Sequence, residues 1–216
     1  MSDDGSAGSA SDRFIPCKTN LSLGFRVECH LSSTFRGPPG SMIPRNPERG
    51  LDNDAFKDHF DWHCRRRGPF ISFFSEWDRA LRWRGTLINL GYRDIVVIAV
   101  WLDDLEVFNA SDVARGLRCS KSWYENEYLL YGAIHAEEHR ILAMFRGDGD
   151  PKRVKLSFKD SEFEVELPGD FIRSLGGLPA NPNDITEAIK REVYSRTGDK
   201  TDFKFEYLLS SICGLI

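Results

Sequence analysis

Two carboxylates separated by one residue, Glu125 and Glu127, stand at the start of an apolar segment that is typical of a strand. In an extended chain the side chains of residues i and i+2 project to the same face, so this spacing predicts two carboxylates pointing into one space. Like charges held this close favour a functional arrangement. The spacing alone also fits two side chains on a solvated strand face, so it needs support from other residues.

Two further polar residues interrupt apolar segments earlier in the chain. Arg26 follows Gly-Phe near the start, and Ser72 stands in the middle of the strand-like segment 70–74, which leads into a predicted helix. Taken singly, Arg26 fits a surface position on an edge strand, and Ser72 fits a small core residue that is hydrogen-bonded within its sheet. Taken in chain order, the segments form one combined pattern: a strand that carries Arg, a strand that carries Ser and leads into a helix, and a strand that begins with Glu-x-Glu.

This pattern resembles the Arg-Ser-Glu class of the ADP-ribosyltransferase superfamily, and within it the domains of that type found in filamentous fungi. In that family the first strand carries Arg, the second carries Ser-Thr-Ser ahead of a helix, and the third begins with Glu-x-Glu. The matching segments, Phe-Ile-Ser … Ala-Leu-Arg-Trp and Glu-x-Glu-Tyr-Leu-Leu-x-Gly-x-Ile, agree in apolar as well as polar residues and lie within residues 23–146. The chain departs from the family at Phe73 and Phe74, which stand where Thr-Ser is usual; a hydroxyl returns only at Ser75.

The resemblance implies that NAD is the substrate and that the bond between nicotinamide and its ribose is cleaved. Such a bond breaks through a cationic, oxocarbenium-like sugar, which a fixed carboxylate stabilises. Matched residue by residue, Glu127 is this carboxylate, Ser72 orients it, and Arg26 clamps pyrophosphate or ribose oxygens. Glu125 would contact and deprotonate the acceptor.

The same resemblance assigns two groups of binding residues and requires no metal. The NAD-binding group is Arg26, Val27, Ser72, Phe73, Phe74 and Trp83. The acceptor-recognition group is Trp123, Tyr124 and Glu125. Trp123 and Tyr124 would stack on an acceptor or on nicotinamide, or they are buried structural aromatics.

Three functions remain open at this point. The first is mono-ADP-ribosyl transfer from NAD to a protein acceptor of arginine type, or NAD hydrolysis when water replaces the acceptor. The second is a catalytically inactive module that keeps the fold and binds a partner, which the pair Phe73-Phe74 favours. The third is modification of nucleic acid, for which the only motivation is the basic run 65–67.

Composition limits the class of protein. A chain of 216 residues with 41% hydrophobic and 29% charged residues builds a core without metals or disulfides. Its net charge of −4, with the two signs interspersed, argues against nucleic acid as a partner. The most apolar run, residues 95–102, is too short to span a membrane. Five cysteines without a Cys-x-x-Cys pair predict reduced thiols and a cytoplasmic protein, and the oligomeric state stays open.

Strands dominate the first part of the chain and helices the last, which predicts an α+β fold. The resemblance refines this to a split mixed or antiparallel sheet of ADP-ribosyltransferase type with a helical C-terminal extension. We expect a disordered tail over residues 1–20, the main domain over 21–168, and the extension over 169–216, packed on the same domain and containing helices at 168–175, 183–197 and 203–212. His59, His63 and Cys64 share a predicted helix face, and this spacing favours surface and packing roles over a metal site.

Overall fold

The computed structural model describes residues 16–61, 68–119, 124–172, 185–198 and 203–216. The strands are β1 (Lys18–Thr19), β2 (Leu23–Glu28), β3 (Phe70–Phe74), β4 (Val96–Trp101), β5 (Val107–Asn109), β6 (Glu127–Tyr131), β7 (Ile141–Arg146), β8 (Lys152–Phe158), β9 (Ser161–Leu167) and β10 (Phe171–Ile172). The helices are α1 (Asn53–Phe60), α2 (Trp77–Asn89), α3 (Ala110–Gly116), α4 (Ile185–Thr197) and α5 (Phe203–Ile212). None of these described helices combines the length and apolar character that crossing a bilayer requires.

Eight of the strands form one sheet in the order β1-β5-β6-β3-β2-β4-β7-β10, and every neighbouring pair is antiparallel. Strands β8 and β9 form a separate hairpin. The α+β class predicted from the sequence is therefore confirmed, with an antiparallel rather than a mixed sheet. The order places β6, β3 and β2 side by side, although 41 residues of chain lie between the end of β2 at residue 28 and the start of β3 at residue 70 (residues 29–69).

The sheet is split between β2 and β3. Strand β2 pairs with β4 along its whole length, from Leu23 to Glu28, and β3 pairs with β6 along its whole length. Between β2 and β3, however, a single residue pair, Phe25 and Phe74, is in register. The two strands are thus joined at one end and diverge toward Glu28 and Phe70.

Two groups of helices cover the sheet. Helix α1 begins where the Asp52 carboxylate accepts a hydrogen bond from the Ala55 amide at 2.6 Å, the usual N-cap contact. Its buried face packs on β3 and β5, since the Phe56 ring stacks on Phe70 at 4.6 Å and meets Phe108 edge-on. The buried side chains of helices α4 and α5 belong to a different core cluster, which also contains residues of β2, β4 and β7. Helix α1 therefore lies beside the split.

Gly24 lets β2 approach β3 closely next to the joined end. A Cβ atom on residue 24 would lie 2.9 Å from the Phe73 Cβ and would overlap the Leu102 side chain. We expect Gly24→Ala to lower the free energy of unfolding by about 1–3 kcal/mol, the usual cost of overpacking a core. Urea unfolding measures this. Gly85→Ala is the matched control, because nothing surrounds a Cβ at that position of α2 and alanine favours helix; equal effects of the two substitutions would contradict the prediction.

Two predicted boundaries are wrong. The N-terminal tail cannot extend to residue 20, because Lys18 and Thr19 pair with Phe108 and Val107 as the edge strand β1; residues 1–15 lie outside the described residues. The segment 168–175 is not a helix at residues 171–172, which form β10 instead. Phe171 pairs with Phe145 and packs against its ring at 5.5 Å, so tertiary contact overrides the local helical pattern there. Among the described residues of the C-terminal part, 169–172, 185–198 and 203–216, the helices are α4 and α5.

Candidate functional site

The three residues of the combined sequence pattern lie on three adjacent strands. Arg26 is on β2, Ser72 is on β3, and Glu127 is the first residue of β6. Ser72 stands opposite Leu129 and Phe74 stands opposite Glu127. Ser72 and Glu127 are therefore diagonal neighbours on one face of the sheet, a separation across which side chains interact.

A cavity of about 150 Å³ opens where β2 and β3 diverge. Arg26 and Ser72 both line it, together with Val27, Phe74 and Trp83 from the predicted NAD-binding group. Further described lining residues are Cys29, Ser32, Thr34, Pro44, Arg45, His59, Gly68, Phe70, Leu87 and Tyr92. The split of the sheet is thus the feature that brings the predicted residues to one space.

One member of the predicted NAD-binding group, Phe73, does not line the cavity. Its side chain is fully buried in a separate core cluster with Ile98 and Leu130, whereas Phe74 lines the cavity. Successive side chains of a strand point to opposite faces, so only one of two adjacent phenylalanines can face the site. Phe74 shapes the cavity wall, and Phe73 is a core residue.

The Arg26 guanidinium is held by three acceptors. Nε donates to Glu28 Oε1 at 2.6 Å, Nη1 to the Ser72 carbonyl oxygen at 2.9 Å, and Nη2 to the Ser32 carbonyl oxygen at 3.2 Å. Arginine has five N–H groups, so two of them, one on each terminal nitrogen, remain for a ligand. The bond to Ser72 crosses the gap between β2 and β3 and fixes the arginine at the split.

Glu127 contacts a histidine, His59, for which the sequence predicted a surface or packing role on a helix. His59 Nε2 lies 3.4 Å from Glu127 Oε1, and the two side chains are 4% and 2% exposed. His59 lines the cavity, whereas Glu127 is not among its lining residues. The signal that identifies His59 is its place on the apolar face of α1, three residues after Phe56 and next to Phe60. Glu127 is linked to the cavity through this imidazole.

The prediction that Glu125 and Glu127 share one face is wrong. Strand β6 begins only at Glu127, and Asn126 before it adopts a left-handed conformation with φ of 58°. This turn breaks the two-residue alternation of an extended chain. Glu125 is exposed, while Glu127 is buried. Glu125 therefore faces solvent, outside the buried pair of His59 and Glu127.

Tyr124 is a structural aromatic rather than an exposed recognition residue. It is 3% exposed, its hydroxyl donates to the Phe60 carbonyl oxygen at 2.9 Å, and its ring lies 4.7 Å from that of Phe60. These contacts tie the segment before β6 to the end of α1, which carries His59. Trp123, the other predicted aromatic contact, lies outside the described residues, as do His63 and Cys64.

The cavity is suited to an anionic ligand that carries a ring. Its described lining includes Arg26 and Arg45 but no carboxylate, although the chain as a whole has a net charge of −4. Four of the lining side chains are aromatic: Phe70, Phe74, Trp83 and Tyr92. A cavity of roughly this volume holds one six-membered ring, so a larger ligand would extend through the opening. Within the described part of the chain, no group of three or more His, Cys, Asp or Glu side chains is placed to hold a metal ion.

A protein-family model described as "Domain of unknown function (DUF7587)" matches residues 18–141, more than half of the chain. The chain belongs to this family. The DUF7587 segment runs from β1 to the first residue of β7, so it contains Arg26, His59, Ser72 and Glu127. The hairpin of β8 and β9 and the last two helices lie beyond it. No curated protein matches the chain.

Proposed function

We propose that this protein has the ADP-ribosyltransferase type of fold, binds NAD at the split of its sheet and cleaves the bond between nicotinamide and ribose. The observation that carries the proposal is the convergence of Arg26 and Ser72 on one cavity, with Glu127 on the next strand joined to it by His59. These side chains come from distant parts of the sequence and supply what the reaction needs: a clamp for phosphate and a fixed anion.

In the proposed reaction, the nicotinamide ring enters the aromatic cavity and the pyrophosphate meets the free N–H groups of Arg26. The electron pair of the C–N bond leaves with nicotinamide, which departs as a neutral molecule. The ribose is left with oxocarbenium character, and the buried carboxylate of Glu127 offsets its charge. A nucleophile then attacks the sugar carbon and loses its proton.

The nucleophile decides the product. An arginine-type side chain of a protein acceptor gives ADP-ribosyl transfer, and water gives free ADP-ribose. Glu125 is exposed and lies two residues before Glu127 in the sequence, so it fits the role of contacting an acceptor rather than NAD. Because Cys29 in the cavity wall is a free thiol, we expect the protein to act in the cytoplasm, where thiols stay reduced.

A second candidate is a catalytically inactive module that uses the same cavity for binding. The observation that favours it is the burial of Glu127, which is 2% exposed and stands behind His59. A carboxylate in this position must be reached by the substrate through a shift of the imidazole or must act through it. Under this candidate, NAD or ADP-ribose binds without release of nicotinamide.

Incubation of the full chain with NAD, with nicotinamide and ADP-ribose followed separately, tests the proposal. We expect nicotinamide release, with free ADP-ribose as the product when no acceptor is present and less of it when an arginine-type acceptor is added. If nicotinamide is released only at the background rate while NAD binding is measurable, the second candidate is the correct one. If the protein neither releases nicotinamide nor binds NAD, both candidate functions are wrong.

Arg26→Lys tests the phosphate clamp. A lysine ammonium cannot make the three fixed contacts of the guanidinium and offers a point charge instead of a planar fork. We expect about tenfold weaker NAD binding, since charge-assisted hydrogen bonds of this kind are among the stronger ones. Isothermal titration measures the affinity. Arg115→Lys, an exposed arginine on α3, is the control; unchanged affinity in Arg26→Lys would eliminate the clamp role.

A further inference from the structure

Glu28 is a buried carboxylate beside the cavity that the proposed reaction does not use. It is 1% exposed, and it accepts hydrogen bonds from Arg26 Nε at 2.6 Å and from the Thr34 amide at 3.1 Å, as well as from the Thr34 hydroxyl. Its charge is therefore compensated inside the protein and does not face the ligand. Arg26 and Glu28 meet because residues i and i+2 of β2 project to the same side.

We infer that Glu28 is a positioning residue, which orients the Arg26 guanidinium so that its two free N–H groups face an anionic ligand. The inference rests on the proposed function for the identity of that ligand, the pyrophosphate of NAD. Three acceptors fix the plane of a guanidinium: Glu28 holds Nε, and two carbonyl oxygens hold the terminal nitrogens. Glu28 is the only charged one of the three, so it contributes the strongest of these bonds.

Glu28 also ties the arginine to one wall of the cavity. The loop after β2 supplies the lining residues Cys29, Ser32 and Thr34. Both polar groups of Thr34 donate to Glu28, and the Ser32 carbonyl oxygen accepts from Arg26. The carboxylate thus holds the guanidinium and the wall in one arrangement, and loss of its charge releases both.

Stability alone does not account for such a group. A buried ion pair costs desolvation that its attraction only roughly repays, and well-packed apolar residues often serve as well. Orientation is a separate gain, because a guanidinium held in place before binding loses less freedom when the ligand arrives. Glu28 therefore contributes to the affinity for an anion in addition to its contribution to folding.

The experiment measures binding of ADP-ribose, and of inorganic pyrophosphate, to the full chain by isothermal titration. ADP-ribose carries the pyrophosphate but has no nicotinamide bond to cleave, so binding is separated from catalysis. The variants are Glu28→Gln, Arg26→Ala and the double variant. Glu192→Gln is the matched control, since Glu192 pairs with Arg196 at 2.5 Å in a similarly shielded ion pair on α4, and neither residue lines the cavity. Thermal unfolding of each variant reports its folding.

We expect Glu28→Gln to bind ADP-ribose about tenfold more weakly, because the remaining amide cannot hold the guanidinium with a charged bond. The double variant binds within about twofold of Arg26→Ala, since Glu28 acts through Arg26 and coupled residues are non-additive. Glu192→Gln binds as the wild type does. If Glu28→Gln is poorly folded, Thr34→Val removes one donor to Glu28 without altering either charge, and we expect it to weaken binding by a smaller factor, about threefold.

Wild-type affinity in Glu28→Gln, or in a folded Thr34→Val used in its place, would overturn the inference. So would fully additive losses in the double variant. Binding of ADP-ribose that depends on Glu28 and Arg26, without any release of nicotinamide from NAD, would uphold the inference and remove the enzymatic function instead. If the wild type binds neither ADP-ribose nor pyrophosphate, both the inference about Glu28 and the proposed enzymatic function are wrong.

Discussion

Replacement of Glu127 by glutamine is expected to lower the rate of nicotinamide release by on the order of 100-fold or more, or about 3 kcal/mol in transition-state free energy. The substitution keeps the size of the side chain and removes its charge, and it replaces one accepting oxygen by a donating amide group. A charge that offsets a developing oxocarbenium ion acts in the transition state and not in the ground state. The loss therefore falls on kcat, with ADP-ribose binding little changed.

Glu125→Gln is the matched control for this substitution. It changes the same side chain two residues earlier, where the carboxylate is exposed and outside the buried pair. We expect hydrolysis of NAD to continue at close to the wild-type rate in this variant, while transfer to an arginine-type acceptor falls. Equal rates of nicotinamide release in wild type and Glu127→Gln would mean that the carboxylate has no part in bond cleavage.

The strands that carry the site could be predicted from the sequence because each is a short, mostly apolar segment that carries one of the residues Arg26, Ser72 and Glu127. Ser72 within 70–74 and Glu127 at the start of a leucine-rich segment lie where the alternation of a strand places them. Their adjacency did not follow from any local pattern. It depends on the pairing of β6 with β3, which joins residues far apart in the sequence, such as Ser72 and Leu129.

The residues that were missed or misplaced depend on details that no pattern of types contains. Glu125 leaves the shared face because one residue, Asn126, takes a positive φ, which asparagine tolerates better than most residues. Glu28 becomes important because the loop after β2 folds back to place Thr34 on it. In contrast, strand alternation alone would have separated Phe73 from Phe74, since adjacent side chains of a strand point to opposite faces of the sheet.

His59 shows how a helix can complete a site that the sheet begins. Its position in α1 is fixed by the aromatic packing of Phe56 on Phe70, and this packing brings the imidazole between the cavity and Glu127. The imidazole also meets the rings of Phe60 and Phe70 edge-on, both at 5.8 Å. These contacts limit the orientations of the ring and hold its Nε2 toward the carboxylate.

We expect His59→Phe to lower the rate of nicotinamide release by up to about 100-fold, because a reactive group misplaced by about 1 Å loses catalytic effect on this scale. Phenylalanine keeps the aromatic packing and removes the nitrogen that contacts Glu127. His59→Gln retains a nitrogen donor on a flexible chain and is expected to recover part of the rate. His139→Asn is the control, since His139 is exposed and asparagine accepts its left-handed backbone.

The double variant of His59→Phe and Glu127→Gln distinguishes positioning from a general loss of structure. If the imidazole acts by holding the carboxylate, the double variant is no slower than Glu127→Gln alone, because a residue cannot orient a charge that has been removed. If the rate losses of the two single variants multiply in the double variant, His59 either contacts the substrate independently of Glu127 or has an independent effect on folding. Thermal unfolding and ADP-ribose titration of the same variants separate those two explanations, because only a substrate contact weakens binding without lowering the melting temperature.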